Sequence, residues 1–217
     1  MTINWRKAAY QVIRPFVRVL LWSLPREDPW ERIPYKTPIT RYGAGSHHDF
    51  GWYLEGDSLV GSQSLEDVQD WLLACQYVHD IDLFHEQDFW QHPCTFERLR
   101  SGDCEDHALW AWRKLLELGY DAEFVSGRCL PWQPNVNDGE RGHAWVLLRL
   151  PTGVFVLESV AKDRERMLRP LAEAREEYRP EFGVARDLKR YAFNGYVETF
   201  REREFGLPKG DSARRSA

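Results

Sequence analysis

Residues 101–160 read as one helix followed by three strands, and no other stretch constrains the fold as tightly. "SGDCEDHALWAWRKLLELG" repeats apolar residues at helical spacing and meets a stop at Gly119. "DAEFVSGRCL", "HAWVLLRL" and "VFVLESV" then follow as strand-like runs, the last two joined by Pro151, Thr152 and Gly153. So short a connection permits only antiparallel pairing. Upstream, "SLEDVQDWLLACQYVHDI" predicts a second helix, with Ser64 as its cap and Asp67 at the reciprocal position. Helices first and an antiparallel sheet after them make the expected class α+β. Residues 162–180 read as a charged helix and "FNGYVETF" as a last strand.

The expected organisation is a catalytic domain at 64–200, preceded at 25–63 by an irregular connector rich in Pro, Gly, Asp and Ser. A disordered tail at 201–217 would follow. Residues 1–24 predict an amphipathic helix: Lys7, Gln11, Arg14 and Arg18 form a polar stripe on an apolar face. That helix either docks on the domain or lies on an anionic membrane surface, through residues 5–24. Its apolar run is short and is followed by Pro25, Arg26, Glu27 and Asp28 rather than a cleavage site, so a cytoplasmic location is expected.

Composition narrows the function classes. Net charge is −5, which argues against a broad phosphate-binding surface and hence against nucleic acid. The four cysteines form no CxxC pair, and a chain this long needs no disulfide framework. Ten tryptophans point to an aromatic core or an aromatic-lined groove.

Cys104 is the candidate nucleophile. It stands directly after "SGD" at a helix start, where free backbone N–H groups and the positive end of the helix dipole favour thiolate. Asp103 and Glu105 oppose the thiolate only if their carboxylates turn toward the sulfur. His143 opens the second strand and Glu158 closes the third. With an even loop at Pro151–Thr152, Trp145 pairs with Glu158, and His143 and Glu158 share a sheet face. An odd loop would separate them. Together the three residues would form a nucleophile, base and orienter. The Cys104 N–H would be a first oxyanion donor, with Gln91, Gln87 or Trp90 as candidates for a second. Asp106 would support the helix start or a neighbouring loop. A competing zinc set is His92, Cys94, Cys104 and His107; His47, His48 and Asp49 form a further polar cluster.

"SGDCEDHALWAWRKLLELGYDAEFVSG", "GHAWVLL" and "VFVLESV", with "DFWQHP" upstream, resemble the transglutaminase-like cysteine peptidases of bacteria, within the transglutaminase-core, papain-like superfamily. The resemblance runs from about residue 65 to 160 and more loosely to 200. It implies a cysteine-bearing helix packed on an antiparallel sheet, with Cys104 as nucleophile, His143 as base and Glu158 as orienter. The family's usual Asp is Glu158 here, its usual acid after the "WxxP" motif is Thr95, and a glycine often found before the motif is Arg100. Some periplasmic members bind calcium through acids at the positions of Asp103 and Glu105. With no secretory signal, neither calcium nor another cofactor is expected. The expected activity is hydrolysis of an amide or peptide bond in a protein or peptide. The alternatives are acyl transfer by the same residues and a non-catalytic binding module.

Overall fold

The computed structural model describes residues 13, 16, 28–33, 48–130 and 141–195. Seven strands form one fully antiparallel sheet: β1 (Arg32–Ile33), β4 (Asp121–Cys129), β5 (Arg141–Leu150), β6 (Gly153–Leu157), β7 (Leu168–Pro170), β8 (Tyr178–Val184) and β9 (Arg190–Phe193). Their order is β1-β9-β8-β4-β5-β6-β7. Two short parallel strands, β2 (Gln76–Tyr77) and β3 (Ser101–Gly102), lie apart from it. The helices are α1 (Leu65–Leu73), α2 (Asp80–Leu83), α3 (Pro93–Leu99), α4 (Cys104–Glu117), α5 (Arg164–Met167) and α6 (Leu171–Ala174). The class is α+β, with the cysteine helix α4 packed on β4 and β5.

Side-chain alternation along β5 divides the core. Ala144, Val146 and Leu148 pack with Leu109, Trp110, Trp112 and Leu115 of α4. Trp145 and Leu147 point the other way, into a second cluster with Val125, Val156, Tyr178 and Phe193. Both faces of the sheet are therefore buried. The tryptophans contribute to the core: Trp110, Trp112 and Trp145 are fully buried, and Trp71 stacks on Trp110 at 3.9 Å. Truncating one of them would cost ~3–5 kcal/mol.

Local signals behave as their chemistry requires. Ser64 and Asp67 form the reciprocal cap of α1. Gly119 follows α4 at φ +85°, a backbone conformation that favours glycine. The segment 25–63 contributes to the core through Phe50 and Tyr53. It is also tied down by Glu97, which accepts from the Leu59 N–H and from Ser58. The single charged helix expected at 162–180 is not formed. Residues 164–174 divide into α5, β7 and α6, and β8 starts at Tyr178. Pro170 has no N–H to give a helix and forces its predecessor to be extended. From Tyr178 the buried positions 178, 180 and 182 alternate at strand period. Of "FNGYVETF", Phe193 ends β9 and residues 196–200 lie outside the described residues, as does the tail. Of residues 1–24 only Ile13 and Phe16 are described, both helical and exposed. No helix among the described residues is long and apolar enough to cross a membrane.

Candidate active site

The hairpin sets the imidazole–carboxylate pair. Gly153 faces Leu150 and Leu157 faces Val146, so Pro151 and Thr152 are the two loop residues and Glu158 comes next in line with Trp145. His143 Nε2 lies 2.8 Å from Glu158 Oε2, and Glu158 is 2% exposed. The same carboxylate oxygen accepts from the Tyr178 hydroxyl at 2.8 Å. Sequence reasoning had no means of finding Tyr178, which belongs to the segment read as a helix.

β6 ends at Leu157, so the edge of β5 beyond Val146 is left without that neighbour. Cys104, the first residue of α4, comes up to the strand there, near enough for the Ala144 N–H to favour its thiolate. The thiol thus lies near the residue next to His143. Gly102 permits the tight approach before the helix, since a Cβ there would strike Asp106 and Gln91. Asp106 holds the preceding loop, accepting from the Gln91 N–H at 2.7 Å and from Gln91 Nε2.

The charge around the thiol departs from the sequence reading. Cys104 Sγ donates to Glu105 Oε2 at 3.2 Å. Burial, then the charges of Glu105 and Asp103, push the thiol well above its ordinary value. The helix start alone would favour thiolate, but here a carboxylate sits on the cysteine side. Nor is Glu105 isolated. Ligand atoms of Asp80, Asp88 and Glu105 lie within 4.8 Å of one another, as do those of Asp80, Asp103 and Asp106. Burial pushes Asp80 up to about 6 and raises Asp103, Glu105 and Asp106 as well. Asp80 Oδ1 and Asp103 Oδ1 are buried with no hydrogen-bond partner. Carboxylate oxygens, crowded and partly unsatisfied, suit a hard divalent cation such as calcium, although the Cys104 sulfur also lies within reach of Asp103 and Glu105. Asp80, Asp88, Asp103 and Glu105 would hold it. The resemblance matched Asp103 and Glu105, beside the cysteine, to calcium-binding positions while no calcium was expected; Asp80 and Asp88 arrive from a different segment and carried no local signal.

Other candidates are engaged elsewhere. Gln91 Nε2 gives its hydrogens to Asp106 and to the Ser101 carbonyl, so none remains for an oxyanion. Trp90 Nε1 donates to Asp88 at 2.8 Å, and Gln87 is exposed. The zinc set is not assembled. His92 bonds the Cys94 N–H and the Trp52 carbonyl, His107 Nδ1 meets the Asp103 carbonyl at 2.7 Å, and no cluster of these four occurs among the described residues. His48 stacks on Trp52 and Asp49 pairs with Arg190; His47 lies outside the described residues. A cavity of about 650 Å³ opens beside Glu158, walled by Leu130, Val160, Lys162, Arg166 and Tyr178.

No protein-family model matches the chain, and no curated protein does. Among solved structures it is similar to LapG of Legionella pneumophila, at 19% identity over 63% of this chain and 71% of that one, with a TM-score of 0.46. An EGTA-treated LapG gives 20% identity over 59% and 64% of the two chains, with a TM-score of 0.45. Likeness at this level establishes neither a family nor an activity.

Proposed function

We propose that the chain is a transglutaminase-like cysteine hydrolase that cleaves amide bonds, most simply peptide bonds, through an acyl-enzyme. One observation carries this reading: a buried imidazole–carboxylate pair, His143 and Glu158 at 2.8 Å, is one residue from Ala144, whose N–H lies close enough to favour the Cys104 thiolate. In this reading Cys104 attacks the carbonyl carbon. His143 moves the thiol proton to the leaving amine, and water then releases the acid from the thioester. Glu158 holds the ring by Nε2, so Nδ1 is the nitrogen that would exchange a proton with the sulfur. A divalent cation on the acid cluster would supply positive charge against the carboxylates that oppose the thiolate.

The test is Cys104→Ala on a panel of peptide and amide substrates, in calcium and in chelator. Hydrolysis by the wild type and none by the variant is expected; equal turnover by both would refute the assignment. The Cys104–Glu105 contact favours a second reading, a binding module that recognises a protein without turnover. Thiol labelling that stays slow at neutral pH even with calcium would support that one. Acyl transfer to an amine needs the same three residues and is separated by adding a primary amine and looking for a new amide.

A further inference from the structure

We propose that Tyr178 is a positioning residue of this site, its hydroxyl holding the Glu158 carboxylate in the rotamer that reaches His143. The proposal rests on the hydrolase reading above and adds a fourth side chain to it.

Glu158 Oε2 is the shared acceptor: His143 Nε2 lies 2.8 Å from it and the Tyr178 hydroxyl donates to it at 2.8 Å. The other oxygen receives only a longer contact, from the Val160 N–H at 3.4 Å. Glutamate has one more rotatable bond than aspartate, and a single contact leaves its carboxylate free to swing. A second donor on the same oxygen fixes it. Tyr178 is suited to that task because it cannot move: it is 1% exposed and packed in the second core cluster, with its ring 5.0 Å from that of Trp145.

The direction of the hydroxyl is also determined. Arg169 of β7 lies close enough to Tyr178 for their charges to interact and is itself held by Glu177 through two contacts of 2.9 and 2.6 Å. A carboxylate only accepts, so the single hydroxyl hydrogen goes to Glu158. Burial and the neighbouring carboxylate raise the Tyr178 phenol far above its ordinary value, so it remains a donor across the neutral range. Strand β7 thus anchors β8, β8 anchors the carboxylate that follows β6, and that carboxylate holds the base on β5. Phenylalanine at 178 would fill the same core space and lack only the hydroxyl.

The experiment is NMR of the full chain labelled with ¹⁵N-histidine, following the His143 Nε2–H proton. In the wild type this proton should be shifted downfield and exchange slowly. Tyr178→Phe should move it upfield and speed its exchange about tenfold or more, the scale of one lost hydrogen bond to a charged group, with the melting temperature lowered by only several degrees. A purely structural Tyr178 would change the melting temperature and leave the His143 signal alone; an unchanged signal in Tyr178→Phe overturns the proposal. So does a wild-type Tyr178 hydroxyl proton that exchanges as fast as that of an exposed tyrosine, a measurement that needs no variant. If Cys104→Ala keeps its hydrolysis, the hydrolase reading fails while the His143 signal still reports the Tyr178–Glu158 contact. If the signal ignores Tyr178, only the positioning role fails.

Discussion

Asp80→Asn should reverse its effect on stability with calcium. In chelator at neutral pH the wild type buries a carboxylate among carboxylates, and burial pushes Asp80 from 3.8 up to about 6. At face value that rise costs ~3 kcal/mol; the neighbouring carboxyls, raised as well, can hold the proton in its place, which halves the figure to ~1.5 kcal/mol. A carboxyl with a raised folded pKa binds its proton more tightly folded than unfolded. Its cost is therefore absent below about pH 4, grows as pH rises, and is complete above about pH 6. Asparagine removes the charge and keeps an acceptor for the Phe89 N–H, which Asp80 now binds at 2.5 Å. At ~2–4 °C per kcal/mol for a chain of this size, the variant should melt about 3–6 °C above wild type at pH 7.5 in chelator. That advantage should vanish as pH falls toward 4. Calcium at 10–100 times its dissociation constant should stabilise the wild type by ~1.4–2.7 kcal/mol, or about 3–11 °C. The variant, having lost a ligand, should gain little. Differential scanning calorimetry of both proteins at several pH values, with EGTA or about 10 mM calcium, reads all of this. His107 does not confuse the comparison. Burial holds it down to about 3, which costs stability as pH falls through the ordinary histidine range, but it is common to both proteins and cancels in the difference. A wild type indifferent to calcium, together with a variant less stable than wild type in chelator, would refute the reasoning.

Iodoacetamide should label Cys104 slowly at pH 7.5 in chelator, because the thiol is raised by burial and by Glu105 and Asp103. Calcium should speed labelling by about tenfold or more, the effect of lowering the thiol by one pH unit; mass spectrometry of the labelled peptide checks this. Glu158→Asp should cut hydrolysis nearly as much as Glu158→Gln, because the shorter acid cannot reach His143 and the Tyr178 hydroxyl together; turnover close to wild type would contradict that. Gly102→Ala should destabilise by ~3 kcal/mol, since the new methyl meets Asp106 and Gln91, near the top of the range for overpacking. Urea unfolding measures it.

Local rules in the sequence determined the skeleton of the site. Glycine's conformational freedom ends α4 at Gly119, and Gly102 admits the close approach that starts it. A two-residue turn at Pro151–Thr152, combined with strand period, places Glu158 in line with Trp145 and so beside His143. Each of these follows from residues a few positions apart. The charge state of the thiol does not. Whether Glu105 turns toward the sulfur, and whether Asp80 and Asp88 join it, depends on α2 and its following loop packing against the start of α4. No periodicity encodes that contact. Tyr178 is the same case: its neighbours Arg175, Glu176 and Glu177 read as a charged helix, yet β8 forms because β4 offers it hydrogen bonds across the sheet. Backbone N–H and C=O groups must be paired wherever they are buried, and partners from distant strands can override local propensity. The sequence therefore specified which residues stand where along each element. Only the packing of those elements decided that the cysteine faces acids, and that a tyrosine holds the glutamate beside His143.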